Sequence, residues 1–310
     1  MTLTILYAGG DDRWPDYREP LPAALKAAGL DARVVTRAAP EAVDYIVYAP
    51  NPDLTDFTPF VNARAVLGLW AGVETIVTNP TLTQPLTRMV DRGLTEGMVE
   101  WVVAHAMRHH VGMDAHIVNP THAWDPVTPP LARRRPVTVL GLGELGQAVA
   151  QALAGLNFPV TGWSRSAKEI DGVTCLAGDD GLQAALATAR ILVLLLPQTA
   201  ATADLMNAAR LASLPRGAVI LNPGRGPLID DAALLAALDR GHVAHATLDT
   251  FRTEPLPKDH PFWAHPKVTV TPHIASETRP GTACEIIAEN IRRCEDGLPL
   301  LHLVDRSAGY

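Results

Sequence analysis

Apolar and polar positions along this chain follow two alternating patterns. Short, nearly continuous apolar runs are typical of strands buried in a parallel sheet, and between them apolar residues recur at the spacing of amphipathic helices. In the first hundred residues the runs predict strands at residues 3–7, 32–35, 45–48, 65–69 and 75–77. With a helix predicted over residues 22–28, this part of the chain is expected to form a small α/β domain.

The alternation resumes after a long helix and a proline-rich segment. The helix is predicted over residues 97–111, and the proline-rich segment 119–136 is expected to cross between two domains. Further strands are predicted at residues 158–163, 173–176, 191–195, 218–221, 244–248 and 268–271. Helices are predicted over 231–238 and 281–294, and the last of them is expected to return the chain to its first domain.

The most informative segment is VTVLGLGELG, residues 137–146, in which an apolar run meets a cluster of glycines. The glycines are Gly141, Gly143 and Gly146. Glycine at these places lets the backbone turn tightly, approach a pyrophosphate closely and pack the following helix against the strand. Leu145, Val149 and Leu153 recur at helical spacing, and the next predicted strand ends roughly 20 residues after the first glycine. The segment therefore predicts a dinucleotide site that includes Glu144 and Leu145; the alternative is a tight turn without chemical purpose.

The residues that end the next strand bear on the choice of cofactor. An NAD-selective site places Asp or Glu there to accept hydrogen bonds from the ribose 2′-hydroxyl, but this chain has Ser164, Arg165 and Ser166, followed by Lys168. A guanidinium and hydroxyl groups can hold a 2′-phosphate through charge-assisted hydrogen bonds. The sequence therefore predicts a preference for NADPH, with NADH as the second choice; the alternative is an ordinary solvated loop.

Composition narrows the class of protein. The chain has 310 residues, 47% of them hydrophobic and 19% charged, which is typical of a globular protein large enough for two domains. A net charge of −7 argues against a nucleic-acid or acidic-membrane surface. Three scattered cysteines fit a reducing compartment, and neither a signal peptide nor a membrane-spanning run is found. A cytoplasmic protein is expected.

Three motifs follow predicted strands of the second domain, at the edge of the sheet where α/β proteins bind ligands. They are LNPGRG at residues 221–226, LDTFRTEPLP at 248–257 and TPHIASET at 271–278. Arg225 can fork onto a carboxylate and a carbonyl, and His273 can pass a proton to the carbonyl oxygen as hydride reaches carbon. Glu254 can orient that imidazole and stabilise its charge. Together they predict chemistry on a 2-oxo acid, whereas His273 alone would be explained as a capped core histidine.

Two histidines on the predicted helix 97–111 have the spacing of metal ligands. His105 and His109 are four residues apart on a predicted helix, as in zinc proteases. The residues between them include no glutamate that could act as a base, so no metal site is predicted.

On the motifs above, the chain resembles the D-2-hydroxyacid dehydrogenases of the glyoxylate/hydroxypyruvate reductase type. The resemblance runs through nearly the full length and is strongest over residues 137–310. It implies that Arg225, Glu254 and His273 match the family's catalytic arginine, glutamate and histidine. It also implies that Leu196 and Pro197 line the adenosine end of the cofactor site and that Asp249 holds the nicotinamide carboxamide.

The resemblance extends to a substrate site in the first domain. It implies that the backbone around Ala71, Gly72 and Val73 holds the substrate carboxylate, with help from Arg88. Three residues depart from the family pattern, namely Tyr48 near a frequent tryptophan, Trp70 in place of glycine and Glu74 in place of aspartate. Tyr48 and Trp70 are expected to border the substrate, so the departures bear on which acid is preferred.

The resemblance implies two Rossmann-like or flavodoxin-like parallel-sheet domains with the active site in the cleft between them. The predicted bounds are 1–103 with 283–310 for a discontinuous substrate domain and 104–282 for the NAD(P)-binding domain. The expected activity is NADPH-dependent reduction of glyoxylate to glycolate and of hydroxypyruvate to D-glycerate. The resemblance also implies a homodimer formed mainly through the cofactor domains.

Three alternatives to this activity stay open. The enzyme could act on a different or larger 2-oxo acid. Formate-type dehydrogenases share the architecture but usually pair the histidine with glutamine, which Glu254 argues against. Some relatives are NAD(H)-sensing corepressors, a binding role that the lack of long tails and the 2′-phosphate cluster do not favour.

Overall fold

The computed structural model describes residues 2–117 and 119–306. These residues form two compact units, Met1–Leu94 with Glu277–Tyr310 and Thr95–Ser276, so the first unit is discontinuous along the chain. Each unit contains its own parallel sheet, which confirms the predicted fold class. The two units divide at 94/95 and 276/277, whereas the predicted domain bounds are at 103/104 and 282/283. The predicted bounds of the functional domains stay predictions.

The first unit begins with alternating strands and helices: β1 (Leu3–Ala8), α1 (Trp14–Tyr17), α2 (Pro20–Ala27), β2 (Ala32–Val35), β3 (Tyr45–Tyr48), β4 (Ala65–Gly68) and β5 (Leu86–Thr87). A short 3₁₀ helix spans Pro40–Ala42. The strand order is β2-β1-β3-β4-β5, and all pairs are parallel.

The elements that follow are α3 (Arg92–His110), α4 (Asp114–Ile117), β6 (Val137–Leu140), α5 (Glu144–Gly155), β7 (Val160–Ser164), β8 (Val173–Ala177), α6 (Gly178–Thr188), β9 (Ile191–Leu194), α7 (Ala208–Ser213), β10 (Ala218–Asn222), α8 (Asp231–Asp239), β11 (Val243–Leu248), β12 (Val268–Val270) and α9 (Pro280–Glu295). Three further 3₁₀ helices lie at Ala132–Arg134, Gly226–Leu228 and Pro261–Trp263. The sheet of the second unit has the order β12-β11-β10-β9-β6-β7-β8.

One predicted strand, residues 75–77, is wrong. The N–H groups of Ile76 and Val77 both donate to the carbonyl of Val73, at 3.0 and 2.9 Å, so this segment is a turn. Val73 and Ile76 are nevertheless buried in the core, which explains why a short apolar run resembles a strand. The fifth strand is β5, whose two residues pair with Val66 and Leu67.

Burial on both sides of the second sheet explains its nearly continuous apolar strands. Val137 and Val139 of β6 lie in one core with α3 and α5, while Leu192 and Leu194 of β9 lie in the core on the other face. Helix α9 packs its buried face, which includes Ile287, into the core of the first unit. The cores on the two faces of the second sheet and the core of the first unit therefore all contain residues from the predicted apolar runs.

Among the described residues, no helix is both long and apolar enough to cross a bilayer.

Candidate active site

The glycine turn after β6 combines two glycines that the fold requires with one that leaves open space. Gly141 has φ +101°, and a Cβ atom there would lie 2.5 Å from the carbonyl oxygen of Leu195. A Cβ at Gly146 would lie 1.8 Å from the carbonyl oxygen of Gly141. A Cβ at Gly143 would meet no atom within 4 Å, and α5 begins at the next residue. This open space beside the N–H groups of a helix N-terminus fits the close approach of a pyrophosphate.

Two more loops flank this turn at the carboxyl edge of the sheet. Strand β6 lies between β7 and β9, where the order of the strands reverses, and such a switch point is the usual ligand site of doubly wound sheets. Strand β7 ends at the first of the predicted phosphate-binding residues, Ser164, which is partly buried, and the loop that follows carries the other three, Arg165, Ser166 and Lys168, which are exposed. The loop after β9 carries Leu196, which is buried, and Pro197, which is partly buried. The structure thus gathers all three predicted cofactor segments at one edge.

His273 and Glu254 are in direct contact. His273 Nδ1 lies 2.7 Å from Glu254 Oε2, and the other carboxylate oxygen of Glu254 accepts the N–H of Phe251 at 2.8 Å. The two side chains are 50% and 34% exposed, so the pair is accessible to solvent. Because the contact is at Nδ1, Nε2 is left without a hydrogen-bond partner among the described residues. This arrangement suits an imidazole that exchanges a proton at Nε2.

Asp249 supports the backbone around His273. It is fully buried, and its carboxylate accepts hydrogen bonds from Thr271 Oγ1 at 2.5 Å and from the N–H groups of Ile274 and Ala275 at 2.9 Å. Its carbonyl accepts the N–H of His273 at 2.9 Å, and His273 has a positive φ of +54°. The implied contact of Asp249 with a nicotinamide carboxamide stays a prediction.

Arg225 lies on the loop after β10, beside the loop that carries Glu254. The buried amide of Asn222 donates to the carbonyl of Arg225 at 3.0 Å, and the partly buried Arg225 side chain donates to the carbonyl of Gly224 at 2.8 Å. A Cβ at Gly226 would lie 2.0 Å from the carbonyl carbon of Phe251, so only glycine allows the two loops to touch. These roles of Asn222 and Gly226 were not predicted from the sequence, although a polar residue at the end of a buried strand and a glycine directly after Arg225 were visible there.

The predicted substrate residues of the first unit lie in different surroundings. Tyr48 is buried, and its hydroxyl donates to the carbonyl of Leu54 at 3.0 Å. Trp70 is 39% exposed, and its carbonyl accepts the N–H of Met89 at 2.9 Å, which brings Arg88 next to the Trp70 loop. The rest of that loop comprises Ala71 and Gly72, which are partly buried, and Val73, which is buried. Their contacts with a substrate stay predictions.

The histidines of α3 have partners other than a metal. His109 Nε2 lies 3.0 Å from Thr247 Oγ1, and the His109 ring stacks on His245 with 4.8 Å between centroids. His105 packs against Trp101 at 4.3 Å. Within residues 2–117 and 119–306, no three His, Cys, Asp or Glu side chains are arranged to hold a metal ion.

Comparison with known families agrees with this geometry. Residues 101–275 match the family described as D-isomer specific 2-hydroxyacid dehydrogenase, NAD binding domain. The match covers more than half of the chain and includes the glycine turn, Arg225, Glu254 and His273. The chain belongs to the D-isomer specific 2-hydroxyacid dehydrogenase family, which confirms the resemblance found in its motifs.

Individual relatives give a narrower class. The chain is 38% identical over 299 residues to the glyoxylate/hydroxypyruvate reductase A of Yersinia enterocolitica, covering 91% of this chain and 95% of that protein. It is similar to a D-isomer specific 2-hydroxyacid dehydrogenase from Xanthobacter autotrophicus Py2 solved with NADPH and MES, at 41% identity, a TM-score of 0.91 and full coverage of both chains. It is also similar to the NADPH-dependent glyoxylate/hydroxypyruvate reductase of Sinorhizobium meliloti solved with NADP and sulfate, at 35% identity and a TM-score of 0.85, covering 100% of this chain and 99% of that one.

Proposed function

We propose that this protein reduces small 2-oxo acids with a preference for NADPH, converting glyoxylate to glycolate and hydroxypyruvate to D-glycerate. The observation that carries the proposal is the 2.7 Å contact between His273 and Glu254 beside the loop of Arg225, in a unit with a dinucleotide fingerprint. The names of the Yersinia and Sinorhizobium relatives support these two substrates.

The chain's own residues suit the chemistry that this reduction needs. When bound, NADPH supplies the hydride that reaches the substrate carbon. Glu254 accepts a hydrogen bond from Nδ1–H of His273, and in the imidazolium form Nε2 carries the proton that His273 would donate to the carbonyl oxygen, which leaves the neutral imidazole behind. The planar guanidinium of Arg225 binds the substrate carboxylate and polarises the carbonyl, which lowers the cost of the developing negative charge.

The proposed cofactor site follows from the three loops at the carboxyl edge of the second sheet. The turn of Gly141, Gly143, Glu144, Leu145 and Gly146 would hold the pyrophosphate. Leu196 and Pro197 would line the adenosine end, and Asp249 would hold the carboxamide. The 2′-phosphate would be held by Ser164, Arg165, Ser166 and Lys168. Because no carboxylate ends β7, nothing there would repel that phosphate.

The first unit would contribute to recognition of the substrate. We propose that the backbone of Ala71, Gly72 and Val73, together with Arg88, binds the substrate carboxylate and that Trp70 borders it. Tyr48 would have to release the carbonyl of Leu54 for its hydroxyl to reach a ligand. That these residues act together with Arg225 on one substrate, in a cleft, stays a prediction.

A homodimer is proposed for the assembly. The segment after α3 exposes Trp124 by 96%, Val127 by 69% and Leu131 by 64%, more apolar surface than a short segment of a monomer usually shows. A second copy would cover these side chains in the unit that holds the cofactor fingerprint. Sedimentation velocity should therefore show a dimer that Trp124→Glu weakens; a monomer at high concentration would contradict the proposal. A cytoplasmic location stays a prediction.

A panel of 2-oxo acids, assayed with NADPH and with NADH, tests the activity and the choice of cofactor together. Glyoxylate and hydroxypyruvate should be preferred over larger 2-oxo acids, and NADPH over NADH. A larger acid as the best substrate would replace the proposed one, and cofactor binding without turnover of any acid would favour a sensing role.

Arg165→Ala tests the phosphate contact. A charged hydrogen bond to a phosphate contributes about 1.5 to 3 kcal/mol, so the variant should bind NADPH about tenfold to a hundredfold more weakly. Binding of NADH should hardly change, since it lacks the 2′-phosphate, and Ser164→Asp with Arg165→Ala should shift the preference toward NADH. Arg240→Ala, another exposed arginine of the second unit, is the matched control. Equal loss for both cofactors would remove Arg165 from phosphate recognition.

A further inference from the structure

Arg252 lies two residues before Glu254 and makes contacts that the mechanism above does not use. Its guanidinium donates to the carboxylate of Asp204 and to the carbonyl oxygen of Ile229. Its Nε lies 3.7 Å from Oδ1 of Asp231, the first residue of α8. One side chain on the Glu254 loop therefore reaches two other segments of the second unit.

Those two segments are hydrogen-bonded to each other. The N–H of Asp204 donates to the carbonyl of Pro227 at 2.8 Å, and the N–H of Met206 donates to that of Leu228 at 2.9 Å. The N–H of Asp230 returns a bond to the carbonyl of Met206 at 3.2 Å. Residues 227–230 follow directly on Arg225 and Gly226, so Arg252 ties the Glu254 loop to the chain that continues from Arg225.

The backbone between Arg252 and its neighbours passes this restraint to Glu254. Phe251 is buried and touches Gly226, and its N–H donates to Oε1 of Glu254. The other carboxylate oxygen of Glu254 holds His273. Arg252 therefore lies between the residue that contacts the Arg225 turn and the residue that contacts the imidazole.

We propose that Arg252 is a positioning residue that fixes the Glu254 loop against the segment following Arg225, and thereby aligns Glu254 with His273. The proposal rests on the function proposed above, since it acts through the Glu254–His273 pair. Arg252 is a positioning residue and not a catalytic one, because its contacts are with Asp204, Ile229 and Asp231 and not with the proposed reacting groups.

The contacts of Arg252 with Asp204, Ile229 and Asp231 form a clamp between loops. This clamp should affect the position of the Glu254 loop more than the stability of the whole protein. Asp204 and Asp231 form ion pairs with Arg252, and His260 Nε2 lies 3.9 Å from Asp231 Oδ2. Burial raises the pKa of Asp231, while Arg252 and His260 oppose that rise. The Arg252 side chain is 36% exposed and that of Asp204 is 52% exposed. Exposed ion pairs contribute little to folding, so a small displacement of the loop should affect activity far more than stability.

Arg252→Ala and Asp204→Asn test the clamp from its two ends. Asp204 has φ +50°, a conformation that asparagine tolerates, so Asp204→Asn removes the charge without straining the backbone. Each variant should lower kcat about 10- to 100-fold and affect KM less, since a shift of about 1 Å in a catalytic group has effects of this size. The double variant should lose little more than Arg252→Ala alone, because Asp204→Asn weakens one of the contacts that Arg252→Ala removes. Arg252→Lys should recover part of the loss.

The second readout is the NMR resonance of His273 Nδ1, recorded at one fixed pH in the protein without cofactor. Loss of the aligned carboxylate breaks or lengthens the 2.7 Å contact between His273 Nδ1 and Glu254 Oε2, so the Nδ1 resonance should move in Arg252→Ala and in Asp204→Asn. Glu254→Gln sets the full size of this shift. Arg292→Ala is the matched control, because Arg292 also contacts two carboxylates, those of Glu289 and Asp296, but lies on α9 in the first unit.

The outcomes separate this inference from the proposed function. If Glu254→Gln shifts the Nδ1 resonance of His273 and lowers kcat while Arg252→Ala and Asp204→Asn do neither, the clamp is overturned and the function stands. If Glu254→Gln changes neither quantity, the pair does not operate and both are overturned. If Arg252→Ala lowers kcat only in proportion to unfolded protein, measured by circular dichroism, and Asp204→Asn is fully active, Arg252 has a structural role only.

Discussion

Two pairs of side chains in the second unit, His273 with Glu254 and His109 with His245, place histidine in different degrees of burial and beside different partners. His273 is half exposed and contacts the carboxylate of Glu254 through Nδ1. His109 stacks on His245 between α3 and β11, and each ring has a threonine hydroxyl as its hydrogen-bond partner, with His109 bonded to Thr247. The same side chain therefore occurs in an open, charged setting and in a closed, neutral one.

Burial decides the protonation state of the closed pair. Loss of hydration lowers the pKa of His109 to about 3 and that of His245 to about 4. Arg108 lowers both further, while Asp114 opposes the shift. These rings are neutral in the folded protein at physiological pH, so they cannot serve as acids there. His109 also has a carboxylate neighbour, since its Nδ1 lies 4.0 Å from Asp114 Oδ2. What distinguishes His273 is a carboxylate within hydrogen-bond distance, at 2.7 Å, together with access to solvent.

His273→Ala tests this contrast most directly, and we expect it to have the largest effect on the reductive kcat. If His273 donates the proton, the variant should lower the reductive kcat by at least about 10² to 10⁴ while binding of NADPH changes little. Steady-state assays with glyoxylate and a separate binding titration measure the two quantities.

The closed pair supplies the control. His109→Gln can keep the hydrogen bond from the Nε2 position to Thr247, and the folded variant should retain its kcat. Near-normal turnover of folded His273→Ala would remove histidine from the mechanism, and a large loss of kcat in His109→Gln would erase the contrast between the two pairs.

Much of the fold could be predicted because buried strands need apolar residues on both faces. The runs at β1, β6, β9 and β10 are long enough to show this pattern, and the structure confirms those strands. The run at 75–77 is buried but folded as a turn, and β5 has only two residues. In both cases the local pattern is too short to separate burial from strand geometry, which tertiary contacts decide.

For the candidate site, the sequence identified reactive groups but not the contacts that hold them. Arg225, Glu254 and His273 were predicted from residue type and from their places after strands, and the last two are in contact. The closeness of Gly226 to Phe251 and the contacts of Arg252 depend on which loops meet in three dimensions. No spacing along the chain encodes them, because the partners lie on separate loops.

The buried pair, His109 and His245, should also make the free energy of unfolding depend on pH, which is a smaller effect. The unfolded chain binds protons at its histidines near pH 6.5, whereas folded His109 and His245 bind them only near pH 3 and 4. The contribution of the neutral pair is therefore fully present above about pH 6.5 and is lost as pH falls from there toward pH 4 and 3. Linkage predicts a loss of roughly 2 kcal/mol of unfolding free energy per histidine between pH 7.5 and pH 5.

Urea unfolding of the second unit, followed by tryptophan fluorescence at pH 7.5, 6 and 5, measures this dependence. The double variant His109→Gln with His245→Gln removes both titrations but can keep the hydrogen bonds to Thr247 and Thr269, so its stability should fall much less over the same range. His116→Gln, at an exposed position on α4, is the matched control and should follow the parent protein. If the double variant and the parent lost the same free energy between pH 7.5 and pH 5, the pair would not be held neutral, and burial would no longer distinguish it from His273.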